Sequence, residues 1–156
     1  MRGHIINRSI NLALATLLAL FATAASADLP SLEYDHGLVQ TSLGTVHFDP
    51  DPEHNNHQHL ASLELHNPDN WFTGIAWLKN SFNQPTWYFY GGRQFPLWQP
   101  SKEILVRAKL TAGLLHGYDG ERKDKIPFNH FGTAPAILPT LGMRLGPLET
   151  DIMVFG

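Results

Sequence analysis

The sequence predicts an all-β protein, an antiparallel up-and-down outer-membrane β-barrel of the eight-stranded type. Three observations predict it. Beyond an apolar leader, apolar and polar residues alternate with a period of two through most of the chain. Turn clusters such as Asn67-Pro68-Asp69-Asn70 punctuate the alternation. The run from Ile104 to Leu115 is as long as the roughly 9–11 residues a tilted strand needs to cross a bilayer.

The leader comes first. Arg2 and Arg8 precede an apolar stretch from Leu12 to Ala25, and Ala25-Ser26-Ala27 has the small residues of a cleavage site. Residues 1–27 read as a secretory signal peptide and residues 28–156 as the β-barrel domain. Excluding those 27 from the 156 residues leaves 129, one domain by length. Removing Arg2 and Arg8 leaves 9 basic against 14 acidic groups, so nothing favours nucleic acid. Cysteine is absent, so the fold must be held by packing and backbone pairing. No later stretch is apolar enough for a membrane helix, and a membrane form must therefore be a closed barrel.

Seven extended runs follow. Tyr34 to Phe48 alternates weakly and ends in the polar loop Asp49 to Asn56. His59, Ala61, Leu63 and Leu65 alternate with Leu60, Ser62, Glu64 and His66. In the third run Trp71, Thr73, Ile75 and Trp77 share one face, opposite Phe72, Gly74, Ala76 and Leu78. Thr86 to Phe95 is the fourth. In the fifth, Ile104, Val106, Ala108, Leu110, Ala112 and Leu114 oppose Leu105, Arg107, Lys109, Thr111, Gly113 and Leu115. His116 to Lys125 is a charged loop. Phe131 to Leu145 and Leu148 to Phe155 complete the set, joined by Gly146-Pro147. Bacterial single-chain barrels have an even strand number. Either one run escapes this count or a last strand is missing. A soluble periplasmic β-sandwich or lipid-binding barrel fits the same alternation.

Two residue blocks carry a resemblance. Lys79-Asn80-Ser81-Phe82-Asn83 resembles the Lys-Asp-Ser-Phe-Asn hallmark of the lipid A palmitoyltransferase (PagP) family, and the similarity continues to Gly91-Gly92. Leu110-Thr111-Ala112-Gly113 is similar to the family's Phe-Thr-Ala-Gly. Ile126-Pro127, Leu138-Pro139 and Gly146-Pro147 also resemble family positions. The resemblance covers about residues 72–156 and is nearest to divergent members of pseudomonad type. It implies an outer-membrane monomer that moves a palmitoyl chain from a glycerophospholipid to lipid A, with no cofactor or metal. The phrases Phe48-Asp49-Pro50-Asp51-Pro52-Glu53-His54-Asn55-Asn56-His57 and Leu114-Leu115-His116-Gly117-Tyr118 also resemble small outer-membrane proteins labelled sn-glycerol-3-phosphate transporter. They imply the alternative of a non-catalytic barrel that binds or passes a small lipid-derived phosphate ester. A small barrel leaves little room for an aqueous pore.

Acyl transfer needs an oxygen nucleophile, a base and oxyanion donors. By the resemblance Ser81 is a nucleophile or an oxyanion donor, and Asn80 stands where the family has aspartate. Turn formation explains the same two residue types. His47 is the first candidate for the base, ahead of His54, His57 and His59, because it lies at a strand end. His54, His57 and His59 with Asp49, Asp51 and Glu53 could hold a divalent ion, a weak signal without a helical metal motif. Tyr88, Tyr90 and Gly92 share the face opposite Trp87 and Phe89. If the latter two face lipid, the former line the lumen, and Gly92 by resemblance sits at the floor of an acyl pocket. Arg107 and Lys109 are expected in the lumen or at a phosphate-binding rim. Trp71, Trp77, Trp87, Tyr88, Phe89, Tyr90 and Trp98 are candidate interfacial aromatics.

Overall fold

The computed structural model describes residues 30–45 and 59–153. The chain divides into two units, Met1–Pro30 and Ser31–Gly156, and every described strand lies in the second. The strands are β1 His36–Thr41, β2 Leu60–His66, β3 Trp71–Lys79, β4 Pro85–Trp98, β5 Ile104–His116, β6 Thr133–Leu145 and β7 Leu148–Met153. Each pairs antiparallel with the next, so the order across the sheet is the order along the chain. A short 3-10 helix, Gly120–Lys125, lies between β5 and β6. The signal-peptide residues and the loop from Asp49 to Asn56 lie outside the described residues.

Most strand boundaries follow the residues closely, but the first run, expected over Tyr34 to Phe48, is a strand only over His36–Thr41, and residues 42–45 lie outside it. β4 continues past Phe95 to Trp98, and its register with β5 shifts between Pro96 and Trp98. Proline has no N–H for the ladder and is tolerated at such an irregularity. β6 carries Pro135 and Pro139, and β7 pairs only with Thr140–Leu145. Over its first half β6 therefore has one described neighbour, which is where a strand accepts proline.

The meander sorts its connections to two ends. Residues 80–84 and 117–132 lie at the end where β1 finishes and β2 begins; this is the loop end. Residues 67–70, 99–103 and 146–147 lie at the opposite turn end.

Period two separates the strands into two faces of unusual polarity. Glu64, His66, Thr86, Arg107, Lys109, Thr111 and Thr140 are buried, among Phe72, Tyr88, Tyr90, Leu105 and Leu138. Val39, Leu63, Trp87, Phe89, Leu114, Ile137, Leu141 and Ile152 are exposed. Water-soluble domains seldom bury charge without a partner and seldom expose so continuous an apolar surface. The sheet also curls until its ends meet through side chains: Gln40 of β1 donates to Asp151 of β7 at 3.3 Å. Among the described residues β1 and β7 form no backbone ladder.

Two glycines let large side chains cross the sheet's inner surface. Gly74 pairs with Glu64 on one side and Tyr90 on the other. The Tyr90 ring lies where a Cβ of residue 74 would be, and its hydroxyl donates to Glu64 Oε1 at 3.1 Å. Gly142 likewise pairs with Arg107 and Asp151, and Asp151 reaches over it to Arg107. In both rows the missing side chain gives a polar partner its path.

Candidate functional site

The loop end is built around the β3–β4 connection. Asn83 N–H donates to Asn80 O at 2.9 Å, and Asn83 takes φ 63°, a left-handed position that asparagine accepts more readily than most residues. Asn80 is buried and its amide is fully used. Its Oδ1 accepts from Phe82 N at 2.9 Å and Gln84 N at 3.0 Å. Its Nδ2 donates to Gln84 Oε1 and to Gly117 O, each at 3.4 Å. Gln84 Nε2 donates to Asp119 O at 3.2 Å. The β3–β4 turn is thus tied to the β5–β6 loop at two points, and Ser81 sits half-buried in that turn.

Phe82 extends the same contact. Its ring meets Tyr118 edge-on at 6.4 Å, and the Arg122 guanidinium stands 4.5 Å from its centroid, with Lys125 at 5.9 Å. Burial pushes the Tyr118 phenol up to about 12, so it stays protonated and serves as an apolar wall. The residue that follows Ser81 therefore carries the contact with the cations of the 3-10 helix.

His47 lies outside the described residues, as do His54 and His57. Three described histidines belong to the loop end. His59 O accepts from Lys79 N at 3.0 Å, immediately before Asn80. His116 Nδ1 lies 2.9 Å from Thr133 Oγ1, and His130 pairs through its backbone with Thr133. His59 is the described histidine closest along the ladder to the Asn80–Ser81 turn. Asp49, Asp51 and Glu53 also fall outside the described residues.

The other candidate residues face the interior, away from this turn. Tyr88 and Tyr90 stack at 4.6 Å, opposite the outward Trp87 and Phe89. The Tyr88 hydroxyl lies 3.0 Å from Thr111 Oγ1 and donates to Ala136 O at 3.2 Å. Gly92 is buried, and the Phe72 ring covers it: a Cβ there would come within 2.6 Å of Phe72 Cζ. The space above Gly92 is thus occupied by an aromatic ring. Of the proposed interfacial aromatics, Tyr88 and Tyr90 lie inside and not on the outer surface.

Arg107 and Lys109 belong to a buried chain of charges that sequence reasoning did not find. Lys109 Nζ contacts Glu64 Oε2 at 2.9 Å and Asp151 Oδ2 at 3.0 Å. Arg107 Nη2 contacts Glu149 Oε2 at 2.6 Å and Asp151 Oδ1 at 2.9 Å. Glu64 also meets His66 Nε2 at 2.9 Å. The chain runs from β2 through β5 to β7. Among the described residues Arg107 Nε and Nη1 have no hydrogen-bond partner although the side chain is buried. The alternation on β5 revealed the two cations on one face; nothing local signalled that carboxylates from three other positions meet them. Among the described residues no cluster of His, Cys, Asp and Glu could hold a metal ion.

The site therefore has two separate parts: a Ser81 turn held by Asn80 at the loop end, and an ion-paired interior that contains the other expected residues. No protein-family model matches the chain, and neither a curated protein nor a solved structure matches it.

Proposed function

We propose that this chain is a bacterial outer-membrane β-barrel acyltransferase, which acts as a monomer and moves a palmitoyl chain from a glycerophospholipid to lipid A. The observation that carries the reading is the inverted polarity of the sheet, with charge inside and apolar side chains outside, and with Ser81 at one end of the apolar surface. Lipid is the solvent that suits such an exterior. Trp77 pairs with Trp87 toward the loop end, while Trp71 and Trp98 lie toward the turn end. That spacing matches two interfacial girdles. β4 and β5 have 14 and 13 residues, enough to cross a bilayer at a tilt. In lipid the edges of β1 and β7, which share no ladder among the described residues, must have their backbone groups paired.

The acceptor hydroxyl of lipid A attacks the ester carbonyl of the phospholipid. A histidine takes the hydroxyl proton and returns it to the departing lysophospholipid oxygen as the ester C–O bond breaks. In this direct transfer Ser81 donates to the oxyanion. If Ser81 is instead the nucleophile, its Oγ attacks the phospholipid ester first, and its proton passes through the histidine to the departing lysophospholipid. The lipid A hydroxyl then attacks the acyl-serine, and its proton returns through the histidine to Ser81 Oγ. His47 is the proposed base, with His59 the described histidine nearest the turn. Arg122 and Lys125, beside Phe82, suit the phosphates of lipid A. The reading in which a phosphate ester passes through the barrel is disfavoured by the Glu64–Lys109–Asp151 bridges across the interior.

Mass spectrometry of lipid A from cells with the gene, without it, and with Ser81→Ala tests the reaction. The gene is expected to add a palmitoyl group, and Ser81→Ala to cut that product by about 10²-fold or more. Lipid A that is the same with and without the gene would end the enzyme reading. Recovery of the protein in the soluble periplasmic fraction would end the barrel reading with it.

A further inference from the structure

A polar cavity of about 170 Å³ opens at the turn end, far along the strands from Ser81, and no residue of the acyl-transfer reading lines it. Asp35, His36, His66, Gln94, Leu105 and Arg144 are among the residues that line it. Two of these are histidines backed by carboxylates. His36 Nδ1 lies 2.7 Å from Asp35 Oδ2, and the buried His66 Nε2 lies 2.9 Å from Glu64 Oε2. A carboxylate accepts, so each contact fixes an N–H on that nitrogen and leaves the other nitrogen of each ring for a ligand. The two rings stack at 4.5 Å with an interplanar angle of 13°, and Phe72 stacks on the far side of His66 at 4.7 Å. The pair is therefore held rigidly.

Arg144 supplies the charge. Its Nη2 donates to Lys102 O at 3.3 Å, and no carboxylate pairs with it among the described residues. Its cross-strand neighbour Glu149 is taken by Arg107. The cavity thus holds a guanidinium with donors to spare and two imidazole nitrogens, beside the Asp35 carboxylate that His36 engages and a Gln94 amide whose Nε2 donates to Asn70 Oδ1 at 3.4 Å. A metal is a poor occupant. Parallel rings direct their in-plane lone pairs along parallel lines, whereas a zinc ion needs nitrogens converging at about 2.0–2.1 Å. A cavity this small is below the roughly 300–1,000 Å³ of sites for drug-sized ligands, which restricts the ligand to a small group.

We infer that this turn-end cavity binds a phosphate group, with Arg144 on its charged oxygens and His36 and His66 on its P–OH or on a neighbouring hydroxyl. The group belongs either to a free phosphate monoester or to a phospholipid headgroup. The inference does not rest on acyl transfer at Ser81 and would stand if lipid A were found unmodified.

The test uses the full chain refolded in detergent micelles, with the histidine ring protons followed by NMR. Inorganic phosphate, glycerol 3-phosphate and a short-chain phosphatidylglycerol are added in separate titrations. Saturable shifts of the His36 and His66 signals with the first two, weakened about tenfold or more by Arg144→Gln, support the inference with a soluble ester as the source. Shifts with the phosphatidylglycerol alone, weakened in the same way, support it with a lipid headgroup as the source. No shift with any probe, or equal affinity in wild type and Arg144→Gln, overturns it. The unliganded histidine signals report whether the variant is folded. If Arg144→Gln fails that control, His36→Gln at the cavity mouth, where the wild-type side chain is 40 % exposed, gives the same comparison.

Discussion

The Asn80 side chain accepts two backbone N–H groups from its own turn and donates to Gly117 O, 37 positions away. An aspartate keeps the two acceptors but turns an oxygen toward Gly117 O and Gln84 Oε1. The amide is therefore the form that joins the β3–β4 turn to the β5–β6 loop. Asn80→Asp is expected to cost about 1–3 kcal/mol at that junction, the range for a buried polar group left unsatisfied. Hydrogen exchange across residues 117–132 reads this out, and protection equal to wild type would show that the tether holds nothing. The sequence marked Asn80 and Ser81 by turn chemistry and by resemblance. It did not reveal Gly117 as a partner, because nothing near residue 80 specifies a carbonyl in another hairpin.

At the scale of the strand, β5 is the organiser. Its alternation was legible because side chains change face at every residue. The barrel reading put Arg107 and Lys109 in the lumen or at its rim, and the structure buries both. The carboxylates of β2 and β7 that pair with them were not legible, because no local pattern on β5 specifies them. Lys109→Met removes the cation shared by Glu64 and Asp151 and is expected to cost about 3–5 kcal/mol, as when one member of a buried ion pair is deleted. Glu64→Gln in the same background should cost less than it does alone, because the carboxylate it removes has already lost its cation. A double-mutant cycle by chemical unfolding in micelles measures the coupling. Strictly additive effects would show that the 2.9 Å contact contributes nothing. The lumen-facing position of Gly92 followed from period two, but the ring over it comes from Phe72 on β3, its cross-strand partner.

At the scale of the molecule, seven strands and their turns were readable because each hairpin is local, and each strand pairs with its neighbour in sequence. The meeting of β1 with β7 was not readable, since no local residue pattern encodes a closure that joins the two ends of a sheet. The polarity of the outer face gives the sharpest test of the solvent. Ile137→Arg, exposed and two residues from the centre of β6, is expected to cost about 2–4 kcal/mol in a bilayer, and Leu145→Arg, at the end of the same strand, about 0–1 kcal/mol. Reversible unfolding from lipid vesicles measures both. A soluble protein would tolerate the two equally, so equal costs would sink the membrane assignment.

The bond between Gln40 and Asp151 spans 111 positions, and the Lys109 and Arg107 bridges span 45 and 44, whereas the strand ladders join sequence neighbours. Ordering in time follows from this difference. Hairpins close cheaply and early, while each long-range bridge has to wait until the chain between its ends is already in place. Until Asp151 arrives, Arg107 and Lys109 lack one of their counter-charges, and the growing sheet carries an unneutralised seam that hydrocarbon rejects. The interior charges therefore set a sequence of assembly, in which the last described strand must be delivered before the apolar surface can finish entering the membrane.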